Sequence, residues 1–234
     1  KMKIICITGD TGGIGNLLVK QLLKFKDIKV FGCSRSKSKF QDKNYNHKIL
    51  DTTIPKKVKT WFESIYKSEK KIDCLICLSG STVGGGLVYN FLDDDFNTNI
   101  LSTLSSTFIC NREILKYFVK NKSGSIINIS SISEKKNLIG SSIYSASKSA
   151  ISKFTKILAK ENIKYDINAN IILPMYIKNI DTKKRGKEWE KKILSMQDKK
   201  SEGDITTLCN LIMFLSNKEN NLITGQEISI GTVV

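Results

Sequence analysis

Residues 3–15 read KIICITGDTGGIG, an apolar, β-rich run that breaks into glycines, and the chain then continues as a helical pattern from Ile14 to about Phe25. Glycines at such a junction let the backbone turn tightly and come close to a pyrophosphate. The negative charge is then held by amide groups at the start of the helix. The motif has the context this chemistry needs, with a strand before it and a helix after it. Gly9, Thr11, Gly13, Ile14 and Gly15 are therefore candidate dinucleotide contacts.

Outward from this point, short apolar runs alternate with helical patterns. IKVFGC and KIL precede a helix carrying Val58, Trp61, Phe62 and Ile65, and CLICL follows it. The second half offers a long helix from about Asp95 to Phe118, the strand SIINIS, a helix from about Tyr144 to Ala159, and the strand ANIIL. It closes with a helix from about Asp204 to Leu215 and the strand EISI. Strands that are apolar throughout are buried on both faces, so the pattern predicts a parallel sheet between two helical layers, with right-handed crossovers. The alternation runs through residues 1–234 and predicts one α/β domain. Only the Lys-rich segment 176–203, between Pro174 and Gly203, departs from it. An insertion beyond the carboxyl end of a strand lies where open parallel sheets bind ligands, so the segment, with a helix near Glu188–Met196, is expected to be either a substrate lid or a surface helical hairpin without function.

Composition limits the alternatives. The chain has 234 residues, 40% of them hydrophobic, which permits a sizeable core, and no apolar stretch approaches a membrane span. The first residues enter a strand at once instead of a signal peptide, so a cytoplasmic protein is expected. The 38 basic and 22 acidic residues give a net charge of +16. The lysines are dispersed, with no basic and aromatic platform for nucleic acid, and read as a solvated surface. Five of the six cysteines lie in apolar segments. Cys74 and Cys77 form a CxxC with no second pair, and His47 is the only histidine, so neither zinc nor a redox pair is expected. His47 reads as structural.

The second strand ends in FGCSRSKSK, where an acid would suit NAD and a base suits the 2′-phosphate of NADP. Ser34 and Arg35 thus point to NADPH. Asp51, closing KILD, is placed either to accept from the adenine amino group or to cap a turn. YSASK opens a later helix, with Tyr144 and Lys148 four residues apart and so on one face. An ammonium beside a phenol is expected to lower the phenol pKa towards neutrality, making Tyr144 a proton donor and acceptor.

The ordered set of TGxxxGxG (Gly9, Gly13, Gly15), Asn99 in FNTNIL, NISS, YSASK and ITGQEISI resembles the short-chain dehydrogenase/reductase family over nearly the whole chain. The resemblance implies a seven-stranded parallel Rossmann sheet, hydride exchange at a nicotinamide, and homodimers or homotetramers. It implies that Tyr144 is the general acid, that Lys148 lowers its pKa and binds the nicotinamide ribose, and that Asn99 supports a water-linked proton relay. Ser131 would bind the substrate carbonyl, with Ser130 the alternative.

Three departures accompany the match. The family's NNAG is here Cys77-Leu78-Ser79-Gly80, its PG is Pro174-Met175, and a threonine expected a few positions later is absent, leaving Asn179 and Thr182 as substitutes. Gly80 and Pro174 remain candidate cofactor contacts. The expected activity is an NADPH-dependent ketone reduction. A 3-oxoacyl thioester on an acidic carrier suits Lys183, Lys184, Arg185 and Lys187, and a keto-sugar or sugar nucleotide suits the polar lid. A dinucleotide-sensing protein without turnover is the rival reading.

Overall fold

The computed structural model describes residues 2–80, 86–136 and 138–233. Among them, strands β1 (Lys3–Thr8), β2 (Ile28–Ser34), β3 (Tyr45–Ile49), β4 (Cys74–Cys77), β5 (Gly124–Ile129), β6 (Ile167–Leu173) and β7 (Glu227–Ser229) form one sheet. Its order is β3-β2-β1-β4-β5-β6-β7, parallel throughout. The direction of winding reverses between β1 and β4, which opens a crevice at the carboxyl ends of these strands.

Side-chain alternation along the strands divides the core into two layers. From β1, Ile4 and Cys6 pack with Val58, Phe62, Ile114 and Phe118, whereas Ile5 and Ile7 pack with Leu18, Leu22, Leu208 and Ile212. The first layer is covered by helices α2 (Pro55–Glu69) and α4 (Ser106–Asn121), and the second by α1 (Gly13–Leu22) and α8 (Ile205–Leu215). The same alternation settles the CxxC. Cys74 belongs to one layer and Cys77 to the other, and all six cysteines are free and buried.

The long helix expected at Asp95–Phe118 is interrupted. Helix α3 (Asp93–Asn99) passes through a π-helical turn, Ile100–Ser105, before α4 begins. Four side chains bond back to carbonyls one turn earlier: Asn99 Nδ2 to Asp95 O (2.8 Å), Ser102 Oγ to Thr98 O (2.6 Å), Thr107 Oγ1 to Thr103 O (2.8 Å) and Asn111 Nδ2 to Thr107 O (2.8 Å). Such bonds compete with the backbone ladder and loosen it locally.

Helix α5 (Ser142–Asn162) is longer than its sequence pattern suggested. Beyond β6, the segment Tyr176–Gly203 forms two helices, α6 (Ile180–Lys183) and α7 (Gly186–Ser195). Met175, where a glycine was expected, is buried and fits because two glycines face it. A Cβ on Gly203 would stand 2.4 Å from Met175 Cγ, and one on Gly231 would stand 2.5 Å from Met175 Sδ. No helix among the described residues is long and apolar enough to cross a membrane.

Candidate active site

A cavity of about 810 Å³ runs along the carboxyl ends of the strands, from the glycine-rich turn after β1 to the α6–α7 segment. Its size is that of a cofactor site. At one end Gly9 holds φ +74°, and a Cβ there would lie 3.1 Å from Ser79 N. A Cβ on Gly15 would lie 2.1 Å from Gly9 O, so the turn can close on the helix only as glycine. The first amides of α1 have no intrahelical acceptor. Gly13 N donates to Asp181 Oδ2 at 2.8 Å, and Ile14 and Gly15 follow it on the cavity wall.

At the end of β2, Thr11 Oγ1 and Ser34 Oγ share a hydrogen bond of 2.7 Å, and Ser34 Oγ donates to Ser36 O at 2.9 Å. Arg35 lies beside them on the wall. Asp51 also lines the cavity, and its Oδ1 accepts from Thr53 N (2.9 Å) and Thr53 Oγ1 (2.7 Å). Burial works to raise the Asp51 pKa, but the Thr53 bonds and the Arg35 and Lys57 charges win and hold it below the usual carboxylate range. The turn-capping role is thus realised, and the other carboxylate oxygen, Oδ2, is not used by Thr53.

Deeper in, Tyr144 and Lys148 project from successive turns of α5, with Lys148 Nζ 5.7 Å from the Tyr144 ring centroid. Lys148 is buried and donates to Ile129 O at 2.8 Å. Burial lowers its pKa to about 8, against the opposing influence of Glu134 and Cys77. The expected lowering of Tyr144 is not found. Burial pushes the phenol up, only partly opposed by a hydrogen bond with Ser131 and by the Arg185 charge. The ammonium donates to the Ile129 carbonyl and stands 5.7 Å from the phenol ring centroid, and at this distance burial decides the direction of the Tyr144 shift. A phenol raised in this way stays protonated at neutral pH.

Both serines after β5 line the cavity, but their hydroxyls meet different partners. Ser130 is buried, and its hydroxyl donates to Glu134 Oε2 and reaches Lys148 O at 3.2 Å. Ser131 lines the cavity beside Tyr144. Gly80 brings the β4 turn against this group, since a Cβ there would stand 3.3 Å from Thr103 Oγ1 and 3.8 Å from Lys148 Nζ. Asn99 is buried, donates to Asp95 O, and is not on the cavity wall. Pro174 is on the wall, as are Asn179 and Thr182. Asn179 caps α6 through Asp181 N and Thr182 N, and Thr182 Oγ1 accepts from Asn179 N.

Sequence reading missed a group beneath the glycine turn. Asp10 is fully buried, and its Oδ2 accepts from Tyr45 OH (2.5 Å) and pairs with His47 Nδ1 (2.7 Å). Burial and the Asp10 bond push the Tyr45 pKa up. His47 is therefore structural, with a partner 37 residues away. The segment 176–203 also adds wall residues not foreseen, Trp189, Lys192, Ile193 and Met196, with the Arg185 guanidinium 5.0 Å from the Trp189 ring centroid. Among the described residues, no three His, Cys, Asp or Glu side chains gather as a metal site.

Comparison with known proteins agrees with this layout. The short chain dehydrogenase family model matches residues 3–191. A 3-oxoacyl-acyl-carrier-protein reductase, FabG, of Rickettsia bellii is 32% identical over 96% of this chain and 93% of its own. FabG of Buchnera aphidicola is 30% identical over 97% of this chain and 95% of its own. Among solved structures, ElxO with NADP bound superposes with a TM-score of 0.91 at 30% identity, covering 98% of this chain and 97% of that one. Actinorhodin polyketide ketoreductase with NADPH, 19% identical with a TM-score of 0.88, shares the fold. With its parallel sheet, glycine turn and Ser-Tyr-Lys group in one cavity, the chain belongs to the short-chain dehydrogenase family and is an NAD(P)-dependent oxidoreductase.

Proposed function

We propose that the protein is an NADPH-dependent reductase that converts the 3-oxo group of a carrier-bound acyl thioester to a secondary alcohol, with Tyr144 as general acid. The observation that carries this reading is the meeting of Ser131, Tyr144 and Lys148 in the cavity that begins at the glycine turn. The glycine cradle fits a dinucleotide. Gly9, Thr11, Gly13, Ile14, Gly15 and Gly80 would lie along it, with Ser34 and Arg35 towards a 2′-phosphate and Asp51 towards the adenine. Pro174, with Asn179 or Thr182, would stand beside the nicotinamide. NADPH, when bound, supplies the hydride.

The chain's own groups then handle the oxygen. Ser131 donates a hydrogen bond to the carbonyl and fixes its position. Tyr144 gives its proton to the oxygen as negative charge develops there, and its raised pKa suits this direction because the acid is loaded at neutral pH. The Lys148 ammonium stabilises the phenolate that remains and holds the nicotinamide ribose. Asn99 supports the backbone from which a water-linked relay refills the proton.

The lid favours the thioester over a keto-sugar. Trp189, Ile193 and Met196 turn apolar surface to the cavity with Leu138 and Ile139, while the exposed Lys183, Lys184 and Lys187 suit an acidic carrier. The names of the FabG relatives support the same substrate class. Six buried thiols fit a reducing cytoplasm. Exposed Leu101, Phe108 and Ile157 on the helices flanking the site support a homodimer or homotetramer.

The test is NADPH oxidation with 3-oxoacyl thioesters and keto-sugars, for the native protein and Tyr144→Phe. Thioester turnover that falls at least about a hundredfold in the variant, with NADPH still bound, is expected. Near-normal turnover by the variant would refute the role of Tyr144. Tight NADPH binding without turnover on any ketone would favour the sensor.

A further inference from the structure

We propose that Glu134 is a positioning residue for proton transfer: its buried carboxylate clamps the Ser131 turn to α5 and supplies the anion that keeps Lys148 charged. The proposal rests on the catalytic reading of Tyr144 and Lys148 given above. Nothing in the motifs marks position 134, which follows Ser131 in a 3-10 turn, Ile132–Glu134.

The geometry is that of a clamp. The Glu134 side chain is 2% exposed, and its Oε2 accepts from Ser130 Oγ and, at 2.6 Å, from Ser152 Oγ. Ser152 lies one turn beyond Lys148 on α5. One carboxylate thus ties together the end of β5, the turn that carries Ser131, and the stretch of helix that carries Lys148. A hydroxyl-bonded carboxylate needs no direct contact with the ammonium to act on it, because charge is felt over several ångströms in a dry interior.

The other groups that face Lys148 leave Glu134 as its counter-charge. Its Nζ bonds only to a carbonyl, Ile129 O, among the described contacts. From β4 it faces Cys77, whose thiol burial pushes up to about 12, so this neighbour is neutral at physiological pH. Arg185 of the lid acts on Tyr144 and carries the wrong sign to balance a lysine. Glu134 is the remaining acid that acts on Lys148, and a buried ammonium without such an anion gives up its proton. Glu134 is itself balanced towards solvent. Lys135 Nζ lies 3.2 Å from its Oε1 and 2.5 Å from Glu227 Oε1, and Lys156 reaches Glu227 Oε2 at 2.7 Å.

The experiment compares native protein, Glu134→Gln and Glu134→Asp. The amide oxygen of Gln still accepts from Ser130 and Ser152 but carries no charge, whereas Asp keeps the charge. Two readouts are taken across pH: kcat/KM for ketone reduction, and the titration of Lys148 by NMR of isotope-labelled lysine, its signal assigned with Lys148→Arg. Glu134→Gln is expected to lower the Lys148 midpoint and the alkaline limb by about one pH unit, with near-native kcat/KM on the acid side of the limb. Glu134→Asp is expected to return both towards native values. An unchanged Lys148 midpoint in Glu134→Gln, or an equal loss of kcat/KM at every pH, overturns the proposal. Because the lysine titration does not need turnover, it judges Glu134 even if no ketone is reduced. Turnover retained by Tyr144→Phe would instead count against the catalytic reading.

Discussion

The carboxylate of Asp181 caps the first amide of helix α1: Gly13 N donates to Asp181 Oδ2 at 2.8 Å across 168 residues of sequence. The segment 176–203 is thereby tied to the turn expected to hold the dinucleotide pyrophosphate. A second side chain of the same segment presses on the same glycine, since a Cβ on Gly13 would meet Asn179 Oδ1 at 1.9 Å. The α1 N-terminus thus serves one anion of the chain and, in the proposed function, a second one from the cofactor.

Two anions at one helix start repel each other. Asp181→Asn keeps an oxygen acceptor for Gly13 but removes the charge. It should tighten NADPH binding about two- to fivefold, matching the roughly 0.3 to 1 kcal/mol that a charge near a helix end contributes. A fluorescence titration of native and variant protein reads this directly. Weaker binding in the variant would mean that Asp181 organises the turn for the cofactor instead of competing with it.

Arg35 stands at the other end of the cavity, with Ser34 and Ser36 beside it. If it pairs with the 2′-phosphate, Arg35→Ala should weaken NADPH by roughly 1 to 3 kcal/mol and NADH hardly at all. Titration with both cofactors separates a phosphate contact from a general loss of site structure. Equal losses would exclude Arg35 as the reader of the phosphate.

Lys148 gives a pH prediction whose sign follows from its lowered pKa. The folded value of about 8 lies below the ordinary 10.5. Between these values the unfolded chain binds the proton and the folded chain does not, so this residue makes the protein more stable as pH rises through that window. Below about pH 8 both forms are charged and its burial is destabilising. In the proposed function activity runs the other way, because loss of the ammonium would leave the Tyr144 phenolate unsupported, so kcat/KM should fall above about pH 8. Urea unfolding of native and Lys148→Met protein at pH 7, 9 and 10 should give a difference that moves in favour of native protein with rising pH. A pH-independent difference would contradict the buried, half-discharged lysine.

What was legible in the chain was whatever has a short period or a short reach. Apolar runs such as CLICL and SIINIS marked strands buried on both faces, and Tyr144 with Lys148 needed only the four-residue pitch of a helix. The strand order makes neighbours of residues far apart in sequence, and there the reading ran out. Asp10 was not singled out, because its partners Tyr45 and His47 lie on β3, two strands away. Met175 stood out only as a departure from PG because the glycines that make room for it, Gly203 and Gly231, lie well downstream. The direction of the Tyr144 shift depends on burial and on where the Lys148 ammonium turns, and helical pitch specifies neither.

The Asp10 group itself can be tested through Gly32, the β2 residue that faces it. A Cβ at Gly32 would stand 1.9 Å from Asp10 Oδ2, so the strand accepts this carboxylate only where it lacks a side chain. Gly32→Ala in the native background should destabilise the fold by about 2 kcal/mol or more, as expected for overpacking a close-packed site. Asp10→Ala alone should also destabilise it, because it strips Tyr45 OH and His47 Nδ1 of their acceptor. In the double variant the new methyl group enters space the carboxylate has vacated. The two costs should therefore fall short of additivity by about 1 to 3 kcal/mol in urea unfolding. Strict additivity would mean that Asp10 and Gly32 do not share that space, and that the carboxylate is held elsewhere than between β1 and β3.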